Sequence, residues 1–515
     1  GESVRSPECG NTSDCISNGY TCAMTRRPIF RSRQSRVWRR IRIAAALLLL
    51  AWIAMAIWHS YKPLPTGLSA EMPLRPVHDL RFLADYSWVD ARGRRQVEQR
   101  IFDRMLELIG QAERLVVLDM FLFNHFAGEA DGPDMRPLSA EVATALIRRK
   151  REVPELRAIL ITDPINQFYG SLDPALFDRL RAGGVEVVVT DLKKLRASNP
   201  AWSATWRLCC QWFGRSDNGG WLPNPMGTRD VTLRSVLELL NFKANHRKTL
   251  VVDSAAGWTG MVTSGNAHDA SSAHSNIAVE FSGPAVLDLL ATEAAVAAFS
   301  GPGLDWPEIQ AGPSERGFAA GTRIQVLTEA AIRDAVLAAL GDAGAGDRVD
   351  LAMFYISHRP IVEALIAAHE RGARVRALLD PNKDAFGREK GGIPNRSAAA
   401  ELVDAGIAVR WCNTTGEQCH DKTMAVHYAN GQAELIAGSA NFTRRNLDDL
   451  NLETDVRIVA QPDTEVVADF EAYFERRWNN RPGETYSRPY RAFASESWFR
   501  YWRYRFMEFT GLSTF

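Results

Sequence analysis

The sequence predicts an α/β protein: two similar α/β lobes related by a pseudo-two-fold, each a mostly parallel sheet flanked by helices, with an N-terminal transmembrane helix. Three observations carry this expectation. One order of elements is written twice, the strand segments are short Val- and Leu-rich runs separated by helices, and residues 43–58 carry no charge. With 515 residues, 46% apolar and 24% charged, the chain folds over most of its length into one or two domains. Seven cysteines spread over such a length exclude a small disulfide-stapled scaffold.

The formal net charge of zero hides an asymmetry. Residues 1–42 hold nine Arg and three acids, which leaves 52 basic and 58 acidic groups to residues 43–515. A body of that sign is not a general nucleic-acid surface. Residues 1–23 show no periodicity and are expected to be disordered or a non-native extension. Residues 24–65 read as an Arg-rich cytoplasmic segment and membrane anchor. Eight Arg and no acid lie between Met24 and Arg42, before the apolar residues 43–58 (IAAALLLLAWIAMAIW). As a helix these sixteen residues span about 24 Å, and snorkelling by Arg42 and Lys62 brings that close to a bilayer core. Trp38, Trp58 and Tyr61 suit the two interfaces, and the Arg cluster should stay cytoplasmic. The body is then expected outside the cytoplasm, held on the inner (cytoplasmic) membrane by one pass. The alternatives are secretion after cleavage of a signal near Ala54-Met55-Ala56, or a buried helix.

From residue 66 the body follows, in order. A helix with Ile101, Met105 and Ile109 on one stripe precedes the strand 116–123 (VVLDMFLF), and Ile332, Val336 and Leu340 precede 349–356 (VDLAMFYI). Next come the strands 156–162 (LRAILIT) and 375–379 (VRALL), then a helix ending in Gly and a further strand, 182–189 (AGGVEVVV) and 405–410 (AGIAVR). Strands alternating with helices imply a parallel-type sheet. The boundaries are a first lobe over 66–310 with an insertion at 191–242, a linker at 311–321 (AGPSERGFAAG), a second lobe over 322–480, and an aromatic, basic tail over 481–515.

Chemistry falls at matching points of the copies. His246-Arg247-Lys248 is followed by Ser264, Asn266 and Glu280, and His420-Asp421-Lys422 by Ser439, Asn441 and Glu453. In a strand His and Lys two apart share a face. Closing the lobes on each other would gather two His, two Lys and two Asn in one cleft. A neutral imidazole can attack phosphorus and form a phosphohistidine, and a second can protonate the leaving oxygen. Lys248 and Lys422 supply positive charge and Asn266 and Asn441 supply amide donors for the transition state. Glu280 and Glu453 are each expected to hold the far nitrogen of a His. This chemistry needs no metal or other cofactor.

The doubled His-x-Lys with downstream Asn and Glu resembles the phospholipase D superfamily, the HKD phosphodiesterases and phosphatidyltransferases that include bacterial cardiolipin synthases. The resemblance covers roughly residues 75–480. It implies that His246 is the nucleophile and His420 the general acid and base, the reverse also being open. The family pattern adds an Asp five residues after the Lys. Asp253 fills that place in the first copy and supports the strand, while His427 stands there in the second.

Two segments bear on the substrate. The insertion mixes Trp202, Trp206, Trp212, Phe213 and Trp221 with Lys193, Lys194, Arg196, Arg207 and Arg215, and the tail holds Trp498, Tyr501, Trp502, Phe506 and Phe509 beside Arg500 and Arg503. Such composition suits a phospholipid interface, base stacking, or a satellite core; the tail reads equally as an interfacial amphipathic helix or a helix docked on the body. His125, His268, His358, Lys383, Arg396, Trp202 and Trp206 are candidate substrate contacts. Cys412 and Cys419 flank the loop before His420 and suit a bridge outside the cytoplasm, while the adjacent Cys209 and Cys210 are expected simply to pack. Phospholipid metabolism on a membrane is the expectation, through hydrolysis or phosphatidyl transfer, with no obligate nucleic acid. The alternatives are a nuclease with the same chemistry and a catalytically silent lipid-binding protein.

Overall fold

The Val- and Leu-rich runs become the strands of two mixed sheets in the computed structural model, which describes residues 30–126, 135–217, 219–224, 227–301, 317–385, 388–389, 391–494 and 497–513. The expected extension at 1–23 and residues 311–316 of the expected linker lie outside the described residues. The first sheet runs in the order Leu80–Ala84, Ile277–Ser282, Gly257–Thr263, Lys248–Ser254, Leu115–Met120, Arg157–Thr162, Glu186–Val189. The second runs Arg75–Pro76, Arg323–Thr328, Thr454–Ala460, Ala433–Gly438, Lys422–His427, Arg348–Met353, Arg374–Leu379, Ala408–Cys412, Ser487–Pro489. Both His-x-Lys strands are therefore the central strand of their sheet, fourth of seven and fifth of nine.

The expectation of mostly parallel sheets is corrected. In the first sheet Leu115–Met120, Arg157–Thr162 and Glu186–Val189 pair in parallel, and the other four pairings are antiparallel. The second sheet repeats this division, with Arg348–Met353, Arg374–Leu379 and Ala408–Cys412 in parallel. The cause lies in the connections. Helices bridge the parallel strands, but Lys248–Ser254 returns into Gly257–Thr263 through a tight turn at Gly257 (φ +102°), which only antiparallel partners allow.

Three apolar clusters hold the layers. Phe102, Met105, Leu146 and Phe177 cover the outer face of the first sheet, and Ile332, Val336, Leu365 and Leu402 that of the second. Between the sheets lies a shared core to which Val117, Val251 and Phe281 contribute from one side and Ile324, Leu435 and Phe470 from the other. The arginine inside the first His-x-Lys enters this layer. Arg247 is wholly buried, its Nη2 2.7 Å from Glu329 Oε1. Asp421 in the second motif pairs with buried Arg477.

The chain divides into two units, residues 1–52 and 53–515. The described part of the first is the start of the helix Phe30–Tyr61, of which Ser35–Tyr61 is long and apolar enough to cross a membrane. Within the second unit, the end of that helix meets the insertion: Ala197 N–H donates to His59 O at 2.7 Å and Arg196 Nε to Lys62 O at 3.0 Å. The insertion forms the helices Pro200–Leu208 and Leu233–Leu239, and the tail the helix Trp498–Thr510. Cys412 is bridged to Cys419, and Cys209 to Cys210 rather than merely packed.

Asp253 organises the start of the neighbouring strand Leu115–Met120. Its carboxylate accepts from the N–H groups of Arg114 (2.8 Å) and Leu115 (2.6 Å) and from Arg114 Nε (2.7 Å). In the second lobe His427 lies near Asp350 and Glu471 instead, and the neighbouring turn is tied by Ala429 N–H to Asp347. Replacing Asp253 by Ala leaves the buried Leu115 N–H unpaired. Denaturant unfolding of Asp253→Ala should show a loss of about 1–3 kcal/mol, whereas His427→Gln should change stability by less than about 1 kcal/mol.

Candidate active site

Each His-x-Lys begins where its strand leaves the sheet, and an aspartate at the end of a parallel strand catches the preceding residue. Asp163 accepts from Asn245 N–H at 2.7 Å, and Asp380 from Cys419 N–H at 2.8 Å. Each histidine is then tied to a residue beside the other sheet's strands. His246 N–H donates to Leu452 O at 2.9 Å, and Leu452 N–H returns a bond to Ala244 O at 3.0 Å. His420 N–H donates to Ser275 O at 2.9 Å, and Ser275 N–H returns one to Gln418 O at 3.2 Å.

The residue after each of those carbonyls takes the imidazole. Glu453 lies 2.8 and 3.0 Å from His246 Nδ1 through its two oxygens. Asn276 Oδ1 lies 3.3 Å from His420 Nδ1. The amide of Asn276 turns its Nδ2 toward the carbonyls of Ser271 and His274, which leaves Oδ1 for the imidazole. An acceptor at each Nδ1 places the ring proton there and the lone pair on Nε2. Glu453 is fixed in turn by Ser439 Oγ and Asn446 Nδ2.

Lys248 and Lys422 repeat one arrangement. Lys248 Nζ donates to His246 O at 2.6 Å and stands 5.2 Å from the ring centroid of Phe121; Lys422 Nζ donates to His420 O at 3.2 Å and stands 5.2 Å from that of Phe354. Phe121 and Phe354 also pack on the imidazoles, with centroids 4.8 and 4.9 Å away. Burial, then the charges of Lys248 and Lys422, hold His246 well below its ordinary pKa. Burial, with Lys422 and His274 next, does the same to His420. Burial also lowers Lys248 to about 7 and Lys422 well below its ordinary value, and raises Glu453 to about 8. Burial outweighs the nearby carboxylates, Glu453 and Asp455 among them, in setting these directions, and a bound phosphate would favour the charged form of the lysines.

The other expected residues divide. Asn266 Oδ1 accepts from Leu122 N–H at 3.2 Å, while buried Asn441 keeps Oδ1 unpartnered among the described residues. Ser264 and Ser439 lock the strand crossings through Ile277 N–H and Thr454 N–H. Glu280 is a correction: it holds no imidazole, because both its oxygens are taken by Arg104 at 2.8 Å. His268 is buried near Ser271 Oγ, and His125 is exposed. His358 sits 3.2 Å from Asp448. Arg396 donates to Pro381 O and stacks on Phe493, and Lys383 is half-buried. Trp202 donates to Leu237 O and Trp206 lies under Arg234, so both pack inside the insertion. His274, by contrast, has its ring 6.0 Å from that of His420.

Asn276 escaped the sequence reading, which sought a second Glu. Register reveals it: Ser264 exchanges bonds with Ile277 as Ser439 does with Thr454, so the residues just before, Asn276 and Glu453, correspond. Asp163 and Asp380 were also missed as positioning residues, although each opens an Asp-Pro pair after a parallel strand in both copies.

Residues 336–478 match the protein family described as "Cardiolipin synthase, PLD-like domain". No curated protein matches the chain in sequence. Among solved structures, the phosphatidylserine synthase of Haemophilus influenzae is similar at 10% identity and a TM-score of 0.47, over 85% of this chain and 94% of that one. The polyphosphate kinase of Porphyromonas gingivalis aligns at 10% identity and 0.42, over 84% and 56% respectively. The phospholipase D family member Nuc of Salmonella typhimurium aligns at 25% identity and 0.25, over 33% and 97%.

Lys248 sets a pH limit on anion binding. With a pKa of about 7 its ammonium is half lost at that pH, largely present a unit below and largely gone a unit above. Calorimetric titration with inorganic phosphate should show affinity falling as pH rises from about 6 to about 9, and Lys248→Met should flatten that profile.

Proposed function

Because the chain belongs to the phospholipase D superfamily of phosphodiesterases and phosphatidyltransferases, we propose that it cleaves or transfers the phosphodiester of phospholipids through a phosphohistidine. One observation carries this reading: two imidazoles, each with Nδ1 against a side-chain oxygen that follows the other motif's crossing, are flanked by two buried lysines. In this reading the two halves, related by a pseudo-two-fold, present these groups to one phosphorus.

The two histidines differ in a way that assigns their roles. Burial holds Glu453 partly protonated below about pH 8, and charged Lys248 and Lys422 favour its ionised form; as a carboxylate on Nδ1 it makes His246 the more electron-rich and stabilises the cation that forms when its Nε2 bonds to phosphorus. The neutral amide of Asn276 does less for His420, which leaves protonated His420 the stronger acid. His246 Nε2 attacks phosphorus while the bond to the leaving oxygen breaks, and that oxygen takes a proton from His420 Nε2. An incoming hydroxyl then yields its proton to His420 and attacks phosphorus, releasing His246. The arriving phosphodiester's negative charge is what brings His420 its proton, since burial keeps it neutral in the empty site. Lys248, Lys422, Asn266 and Asn441 bind the non-bridging oxygens, so the chemistry requires no metal.

Phospholipid is favoured over nucleic acid by the acidic body and by Ser35–Tyr61, which we read as a span of the inner membrane. The Arg-rich flank is cytoplasmic and the body extracytoplasmic, an oxidising setting that suits the two bridged cysteine pairs.

Purified protein given labelled phosphatidylglycerol, with and without glycerol, beside single-stranded DNA, tests the substrate. Free headgroup identifies a hydrolase and lipid-to-lipid transfer a synthase; cleaved DNA with intact lipid overturns the proposal. His246→Ala should abolish trapping of the phosphoenzyme. His420→Ala should let the adduct accumulate with a good leaving group while turnover falls on the order of 10²–10⁴-fold. Trapping that survives loss of His246 but not of His420 reverses the roles.

A further inference from the structure

The tail helix Trp498–Thr510 has one face on the body and an aromatic face left exposed among the described residues. Tyr504 is buried, its hydroxyl 3.1 Å from Ser357 O; Glu508 accepts from Ser357 Oγ at 2.8 Å and from Arg444 N–H at 3.2 Å. The opposite face leaves Trp498 74%, Trp502 54%, Phe506 59% and Phe509 84% exposed. Exposure of so many large rings on one short helix marks a surface made to be covered.

Its surroundings say by what. The helix ends at Gly511 (φ +73°), packed so closely on the insertion that a methyl group there would stand 2.0 Å from Ser198 O. The two residues before Ser198 bind the end of the apolar helix, Ala197 to His59 O and Arg196 to Lys62 O. Consecutive residues 196–198 therefore touch both helix ends, and three residues of backbone span at most about 10 Å. If Ser35–Tyr61 spans a bilayer, its end lies at headgroup depth, and so does the Phe506–Gly511 end of the tail helix. Trp and Phe beside Arg are the side chains that this depth selects.

At the root of the helix opens a cavity of about 570 Å³ lined by Arg333, His358, Arg359, Arg444, Arg505 and Phe509, among others. Carboxylates pair with most of this charge: Asp448 with Arg333 at 2.8 Å and Arg444 at 3.9 Å, Asp334 with Arg333 at 2.9 Å, and Glu363 and Glu401 with Arg359. Arg505 is left without an ion pair among the described residues and lies over the Tyr501 ring, and among those residues the buried His358 keeps Nδ1 unpartnered. One uncompensated arginine in a cavity that opens beside exposed rings has the character of an anionic amphiphile's site, with phosphate inside and acyl chains along the aromatic face.

We infer that the aromatic face of Trp498–Thr510 beds in the lipid–water interface and that the cavity at its root holds the phosphate of an anionic phospholipid, at a site separate from the paired histidines. The inference rests on reading Ser35–Tyr61 as a span, and it is independent of the catalytic proposal. The full chain in phosphatidylcholine nanodiscs carrying a diazirine-bearing phosphatidylglycerol, with crosslinked peptides mapped by mass spectrometry, tests it. Adducts are expected on 498–512 as well as on 43–58, and they should persist in His246→Ala. Phe506→Ser with Phe509→Ser should cut labelling of 498–512 several-fold without changing that of 43–58. Arg505→Gln should reduce the preference for phosphatidylglycerol over phosphatidylcholine about fivefold. Labelling of 43–58 without 498–512 overturns the inference and leaves the span standing; labelling of neither overturns both. Displacement of the label by inorganic phosphate alone assigns the cavity to a free anion and refutes the lipid source.

Discussion

The site depends on a reciprocal strap between the lobes. Each histidine gives its backbone N–H to a carbonyl of the other lobe, and the next residue along, Glu453 or Asn276, takes its ring. At about 1 kcal/mol net per hydrogen bond, these contacts are too few to hold the lobes together. The shared core between the sheets does that, at about 25 cal/mol per Å² of apolar surface covered. The strap instead sets register, and a slip by one residue would turn Glu453 and Asn276 away from the imidazoles.

Burial then decides the charge state. Two lysines and two imidazoles are buried together, and desolvation opposes every positive charge among them. Such a cluster is held below its full charge until an anion enters. Binding and activation are thereby one event: the group that restores the lysine charges also brings the acid its proton. The difference between a carboxylate and an amide behind the rings breaks the symmetry that the doubled motif would otherwise impose.

Much of this was legible in the residues. The two His-x-Lys segments stand out because an unusual triplet recurs with the same followers, and the strand runs are evident from their Val and Leu. Strand direction was not legible, since a strand buried on both faces reads alike whether its neighbours are parallel or antiparallel. The partner of His420 was missed for a related reason. Residue type pointed to Glu280, but the bonds of Ser264 put Asn276 in that place, and register is invisible until strands are paired. Trp202 and Trp206 were legible as aromatic and basic company, and only packing showed that this company is internal.

The sheets also have unequal histories during synthesis. Every strand of the first comes from residues 80–282, so it can assemble as soon as that stretch has been made. Its inner face, with Val117, Val251 and Phe281, is covered in part by the helix Ala285–Ser300, and the rest of the cover comes only with residues near 470. The second sheet must recruit Arg75–Pro76 from the other end of the body. A half-made chain therefore carries a finished sheet with part of its greasy side bare, a species prone to sticking while the rest is translated.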